Sequence, residues 1–442
     1  GLLWVGTSNG LNILAPSFRQ FVHFRKDPTN ENTLSSNMIN KIYQEENGTL
    51  WVGSDLGLNK IDIEKNHFTK FKADNENDNS LSHNFIYDIY KDEYGIFWIA
   101  TWGGGLNIFD PESGTFHIYK NIPNDSNSLV NNHIRDIYRD KQGNMWLGTL
   151  YGLSRVFFER NDKLPEITKF VTYGHNPDDP KSLAHNFAYC IFEDSRNNFW
   201  VGTRSGGLDL FDRQTKTFKH FKYEQDNPNS LSNNRILSLF EDSRNTLWVG
   251  TFGGLNKFDR KNQSFTRYRL TDGLPNEVIC GILEDDHYNL WISTNSGISK
   301  FDPENIVFDN FDKLDGLQDN EFNPFAYFKN EDGQMFFGGI NGFNMFHPDS
   351  IVKNRKKAPV VITNFQILNK TVNIGEKIHG KVILTKHISQ TKHITLSYKD
   401  YIFSFEFASM DFTCPQKNRY AYKMVGLDEE WIYTGASRRF AT

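Results

Sequence analysis

The chain is 442 residues long, more than one ordinary hydrophobic core sustains, so several domains or one repeat-built domain are expected. A net charge of -5 with both signs interspersed excludes the basic footprint of a nucleic-acid binder. Aromatics make up 15% of residues and polar residues fill the intervals between short apolar runs, which suits many short strands and excludes a membrane-spanning helix within the sequence.

A Trp-centred phrase runs along the chain. It begins as LWVGTSNGLN at Leu3 and returns as LWVGSDLGLN at Leu50, FWIATWGGGLN at Phe97, MWLGTLYGLS at Met145 and FWVGTRSGGLD at Phe199. It continues as LWVGTFGGLN at Leu247, LWISTNSGIS at Leu290 and a weaker MFFGGINGFN at Met335. The landmarks Trp4, Trp51, Trp98, Trp146, Trp200, Trp248, Trp291 and Phe336 are 43 to 54 residues apart, a period that belongs to propellers and solenoids. Each unit divides into four short extended pieces, which favours the propeller. In the second unit these are strand A at Ile39 to Gln44, a hairpin turn at Asn47-Gly48, strand B at Leu50 to Ser54, strand C at Gly57 to Asp62 and strand D at Phe68 to Phe71.

The number of blades follows from counting the pieces separately. A Leu-x-x-Asn-like lead-in announces strand A at Leu34, Leu81, Leu129, Leu183, Leu231, Leu274 and Leu317. Strand D appears as FRQFVHF (18–24), FTKF (68–71), FHIY (116–119), ITKF (167–170), FKHF (218–221), FTRY (265–268) and FDNF (308–311). The first D strand has no A strand before it and the last A–B–C set has no clear D strand after it, so residues 18–24 are expected to close the ring as the outer strand of the last blade. The expected architecture is all-β: a remnant of an earlier blade at 1–17, a seven-bladed propeller at 18–352 and an incomplete Ig-like β-sandwich at 353–442. An eight-bladed ring ending on Ile351-Val352 is the alternative. The strand B tryptophans are expected to fill the wedges between blades, and Gly6, Gly53, Gly148, Gly202 and Gly250 to permit close backbone approach.

The phrase LSxN…I…D..G.LWVGT..GLN resembles the two-component regulator propeller repeat of bacterial hybrid two-component sensors, over residues 1–350. APVVITNFQILNK (358–370), HITLSYKDYIFSFEFASMDF (393–412) and NRYAYKMVGLDEEWIYTG (418–435) resemble the tyrosine-named (Y_Y_Y) sandwich that follows such propellers, matching at Tyr420, Tyr422, Gly426, Leu427, Asp428 and Trp431. The sandwich is expected to hold Tyr420, Tyr422 and Trp431 in or beside its core. The resemblance implies a periplasmic ectodomain of an inner-membrane histidine kinase, with two propellers, the sandwich, a membrane helix and a kinase in the complete protein. On that reading both ends of this sequence are cut, and membrane contact comes only through a helix beyond it.

Chemistry-bearing motifs are absent: there is no HExxH, GxxxxGK[ST], GxSxG or Cys/His cluster at metal-ligand spacing. Cys190, Cys280 and Cys414 are too far apart for a disulfide framework or a zinc site, and the first two fall in predicted strands as buried apolar residues. Asp92-x-x-Gly95-x-x-Trp98 and Asp140-x-x-Gly143-x-x-Trp146 resemble the Asp-box turns of sialidase-type propellers, with the spacing off by one residue. That motif is structural, so a glycan-acting enzyme ranks third. No cofactor and no metal is expected.

Strand direction alternates within a blade, so the D-to-A connections and B-to-C turns share one face, where the units differ most. Trp102, Tyr151, Arg204 and Phe252 at the turns, with His83, His133 and His185 before strand A, are the candidate ligand-binding residues. Aromatic rings beside polar groups suit a sugar, with its apolar C–H face and hydroxyl rim. The leading expectation is a sensor of an oligosaccharide from polysaccharide breakdown that acts as a homodimer, with no nucleic acid bound in this segment. The rival is a protein-interaction scaffold without a small ligand.

Overall fold

A computed structural model of the chain describes residues 3–8, 10–14, 20–160, 163–351, 358–412 and 415–442. Its contacts divide into two units, Arg19–Ile351 and a smaller one made of Gly1–Phe18 with Val352–Thr442. Cys414 lies outside the described residues.

In the larger unit each repeat becomes a four-stranded antiparallel sheet. Blade 1 pairs Ile39–Gln44, Leu50–Ser54, Gly57–Asp62 and His67–Phe71 in that order. The turn between the first two strands needs its glycine, because Gly48 has φ +84° while its N–H donates to the Glu45 carbonyl at 2.9 Å. Strands A of blades 2 to 6 are Ile86–Lys91, Ile134–Arg139, Ala188–Glu193, Ile236–Glu241 and Ile279–Glu284. Each is followed by its own B, C and D strands. Blade 7 takes Phe322–Lys329, Met335–Gly339 and Gly342–Phe346 from the end of the unit and Val22–Phe24 from its beginning. Val22 lies opposite Met345 and Phe24 opposite Phe343, with the last two rings stacked at 4.7 Å. Seven four-stranded sheets thus lie between residues 20 and 351, counted among the described residues. Ile351 is in no strand, and Val352 and residues 18–19 lie outside the described residues. The last blade meets the first: Asn323 Nδ2 donates to the Ile39 carbonyl at 2.8 Å, and the Phe328 and Tyr43 rings lie 5.5 Å apart.

Strand B is buried from end to end in blades 1 to 7. Its tryptophan fills the wedge to the next blade: Trp51 lies 4.5 Å from Phe97, Trp146 4.9 Å from Phe199 and Trp291 4.9 Å from Phe346. Two positions later the strand must be small, because a Cβ on Gly53, Gly202, Gly250 or Gly338 would stand 2.7 Å from the side chain of Ile86, Ile236, Ile279 or Ile39 in the following blade. Gly6 has nothing within 4 Å, so that reason for a glycine does not hold there.

The Asp-x-x-Gly-x-x-Trp pattern is scaffold. Asp92, Asp140, Asp194, Asp242 and Asp285 accept the indole N–H of Trp98, Trp146, Trp200, Trp248 and Trp291 at 2.8–3.1 Å. Blade 1 breaks the rule: Glu45 stands in that place, its carboxylate pairs with Lys91 at 2.8 Å, and the Trp51 indole nitrogen is buried without a partner.

In the smaller unit, Leu3–Thr7 and Gly10–Leu14 form a hairpin. A second sheet has the order Lys370–Thr371, Val360–Ile367, Phe403–Ser409, Phe440–Ala441. Tyr420–Tyr422 and Ile432–Thr434 form a separate two-stranded ribbon. Tyr420 is buried, its hydroxyl accepting the Ser409 N–H at 3.1 Å, and Tyr422 lies 6.2 Å from Phe407. Trp431 departs from expectation: it is 57% exposed, because it sits just outside a ribbon of only two strands.

Candidate functional site

The site is built by a repeated irregularity. In blades 1 to 6 one strand A residue falls in a break of register, so that two residues oppose one on strand B. The extra residues are Asn40, Tyr87, Arg135, Tyr189, Leu237 and Cys280. A bulge re-aims the side chain it carries. In blade 7 the break is longer, spanning Phe322 to Tyr327, and Phe325 has φ +70°, a conformation costly for an aromatic residue.

These side chains converge. The Arg135 guanidinium lies over the rings of Tyr87, Tyr189 and Phe325 at 4.2, 4.6 and 4.4 Å, joining blades 2, 3, 4 and 7. Its Nη2 donates to the Tyr189 hydroxyl at 3.1 Å and to the Pro324 carbonyl at 3.4 Å, while Nε is buried without an acceptor. Sequence reasoning missed this centre. The signal available was the Tyr, Arg, Tyr series at the second residue of successive A strands.

Of the predicted residues, Trp102 reaches this centre through Tyr87 and Arg204 through Phe187, whereas Phe252 pairs with Arg235. Trp102 is half-buried, its ring 4.5 Å from His133, 5.0 Å from Tyr87 and 6.1 Å from Phe187. His83 and His133 flank the glycine turn after Trp102: a Cβ on Gly104 would meet the His83 Cβ at 2.7 Å, and one on Gly103 the His133 Nε2 at 3.7 Å. Arg204 lies over Phe187 at 5.7 Å. Phe252 carries Arg235 over its face at 4.7 Å. Tyr151 is displaced from the expected set. The N–H that bonds to the strand lead-in belongs to Trp102, Arg204 and Phe252 in their blades but to Leu150 in blade 3, which leaves Tyr151 one place farther out and 54% exposed.

Burial, and then neighbouring His83, lower the His133 imidazole's pKa; burial, His175 and Arg204 do the same to His185. Both rings are therefore neutral hydrogen-bonding groups at pH 7. Among the described residues, no group of three or more His, Cys, Asp or Glu is placed to hold a metal ion.

Beyond the bulge, strand A carries a buried polar cluster. Lys41 pairs with Asp88 at 2.7 Å, Asp88 accepts the Ile137 N–H at 2.7 Å, and Asp136 accepts the Ile191 N–H at 2.6 Å. Burial and the adjacent Asp88 push the Asp136 carboxyl well above the usual range. Burial likewise raises the Cys190 thiol and pushes Cys280 up to about 12, so neither is a reactive thiolate.

Residues 33–55, 80–103, 128–151, 182–205, 230–253 and 273–296 match the two component regulator propeller family. These six segments are two-component regulator propeller repeats. Over 115 residues it is 39% identical to "Histidine kinase P4" of Formosa agariphila, covering 26% of this chain and 8% of that protein. The extracellular domain of a hybrid two-component system from B. thetaiotaomicron superposes with a TM-score of 0.79 at 25% identity, covering 99% of this chain and 55% of that domain. The chain therefore spans about half of that domain and a small part of the kinase. Virginiamycin B lyase of Staphylococcus aureus shares the fold alone, with a TM-score of 0.52 at 13% identity over 74% of this chain and 97% of the lyase. Among the described residues no helix is long and apolar enough to cross a membrane.

The smaller unit holds a cavity of about 760 Å³ among Phe403, Phe405, Phe407, Tyr420, Tyr422 and Leu427. It is predominantly apolar.

Proposed function

We propose that the larger unit is the ligand-binding part of a periplasmic sensor ectodomain, belonging to a hybrid two-component histidine kinase and detecting an oligosaccharide through the mouth around Arg135. The observation that carries this reading is the convergence of Tyr87, Trp102, Phe187, Tyr189 and Phe325 with Arg135, His133 and Arg204 on one face of a rigid repeat scaffold. Rings offer the apolar face a sugar needs, and the guanidinium and imidazole groups supply hydrogen bonds to its hydroxyls. The likeness to a hybrid two-component extracellular domain supports the cellular role. The reading includes a homodimer, a Y_Y_Y-type sandwich in residues 353–442, and no catalysis in this segment.

Rigid sheets are poor hinges, so the signal passes by movement between domains or protomers rather than inside the ring. The ligand drives it only by binding one arrangement more tightly. The test is a thermal-shift screen of the chain against oligosaccharides followed by calorimetry, because a ligand specific to the folded state raises the transition temperature. Trp102→Ala should abolish the response to any saccharide found. An unchanged response would remove the site from the mouth, and binding of a polypeptide instead would favour the scaffold reading.

A further inference from the structure

We propose that the saccharide read at this mouth is anionic, bearing a carboxylate or sulfate group held by Arg135, Arg204 and Arg235; the inference rests on the saccharide reading above. These arginines stand on consecutive blades 3, 4 and 5, and among the described residues none forms an ion pair with a carboxylate. Each lies instead over an aromatic face: Arg135 on Tyr87, Tyr189 and Phe325, Arg204 on Phe187, Arg235 on Phe252.

Arg135 anchors the group. It is 3% exposed, and a buried cation is costly unless countercharged. Three ring faces offset part of that cost. Two hydrogen bonds go to neutral oxygens, and Nε has no acceptor. Arg235 Nε is likewise buried without a partner. Guanidinium groups present a planar fork that matches carboxylate and sulfate oxygens, and rings that hold the fork in place reduce the entropy lost on binding. Carboxylates at the equivalent positions fall elsewhere on the ring: Asp55 in blade 1 and Glu321 before blade 7. That split turns the anionic group of a ligand towards blades 3 to 5.

The probes are matched pairs: uronate-containing oligosaccharides with their carboxyl-reduced forms, and sulfated oligosaccharides with their desulfated forms. Sodium sulfate at matched ionic strength tests a free anion. Calorimetry should find the anionic member of at least one pair bound about tenfold or more tightly than its neutral twin, as charge-assisted hydrogen bonds require. The advantage should shrink in about 0.5 M NaCl. It should vanish in an Arg204→Gln/Arg235→Gln variant with an unchanged melting temperature, and an Arg135→Met variant, if folded, should lose it as well. Binding of neutral twins as tightly as anionic ones overturns the inference while leaving saccharide sensing intact. Survival of the preference in the double variant overturns it in the same way. Sulfate alone reproducing the full shift assigns the site to a free anion and overturns the saccharide part, and no binding by any probe overturns both readings.

Discussion

Arginines stand on both faces of the ring, and their surroundings differ. On the face of the C-to-D turns, Arg213 reaches Asp140 at 3.0 Å and Glu193 at 2.5 Å, Arg260 reaches Asp194 and Glu241 at 2.5 Å each, and Arg160 reaches Asp92 at 2.6 Å. Each ties one blade to the carboxylate that also holds a neighbouring tryptophan. On the face of the B-to-C turns, Arg135, Arg204 and Arg235 meet rings instead of carboxylates. One set of charges is committed to the scaffold; the other retains donors for a partner.

Breaking the paired face should cost the most. Arg213→Met leaves the fully buried Asp140 carboxylate without its cation and should lower stability by about 3–5 kcal/mol in urea unfolding, where a loss below about 1 kcal/mol would refute the structural role. Burial pushes the Asp140 carboxyl up, but Asn144, Trp146 and Arg213 more than offset this and hold it below the usual range. Its stabilisation is therefore present above the unfolded pKa and lost as pH falls through the folded one.

Asp136 has the opposite sign. Its folded pKa is raised, so the native state binds the extra proton and stability declines as pH rises above the unfolded value. Asp136→Asn imitates the protonated carboxyl and should flatten that decline in urea midpoints taken from the unfolded carboxylate value upward in pH; an unchanged slope would show that another group titrates.

Smaller effects sharpen the comparison. Glu45→Asp should give Trp51 the acceptor its counterparts have and gain about 1 kcal/mol in thermal or urea unfolding, less whatever the Lys91 pair contributes. At the mouth, Arg204→Gln should change stability by no more than about 0.5 kcal/mol, since the side chain is exposed and outside any ion pair among the described residues, while weakening ligand binding. A large loss of stability there would place Arg204 with the scaffold arginines.

Period and local pattern were enough to read the strands, the wedge tryptophans and the pairing of Val22–Phe24 with the last blade, because each depends on a repeat that the chain states several times over. The turn residues Trp102, Arg204 and Phe252 were legible for the same reason. Tyr151 lies at its B-to-C turn as expected but one place farther out than its counterparts, because blade 3 sets Leu150 in the equivalent position. Glu45 interrupts the aspartate series without any local sign that the Trp51 indole then lacks an acceptor.

The centre of the mouth was not legible. Alternation assigns a side chain to a face only while the ladder is unbroken, and the bulge in each A strand adds one residue that obeys no such count. Seven sheets closing on one axis then bring Arg135 of blade 3 against Phe325 of blade 7, residues that no local spacing relates. The blade, its strands and its buried tryptophan follow from the amino-acid order alone, because they rest on contacts within one repeat and with the next. Which side chains share the mouth is settled in three dimensions, because that depends on register breaks and on contacts across the ring.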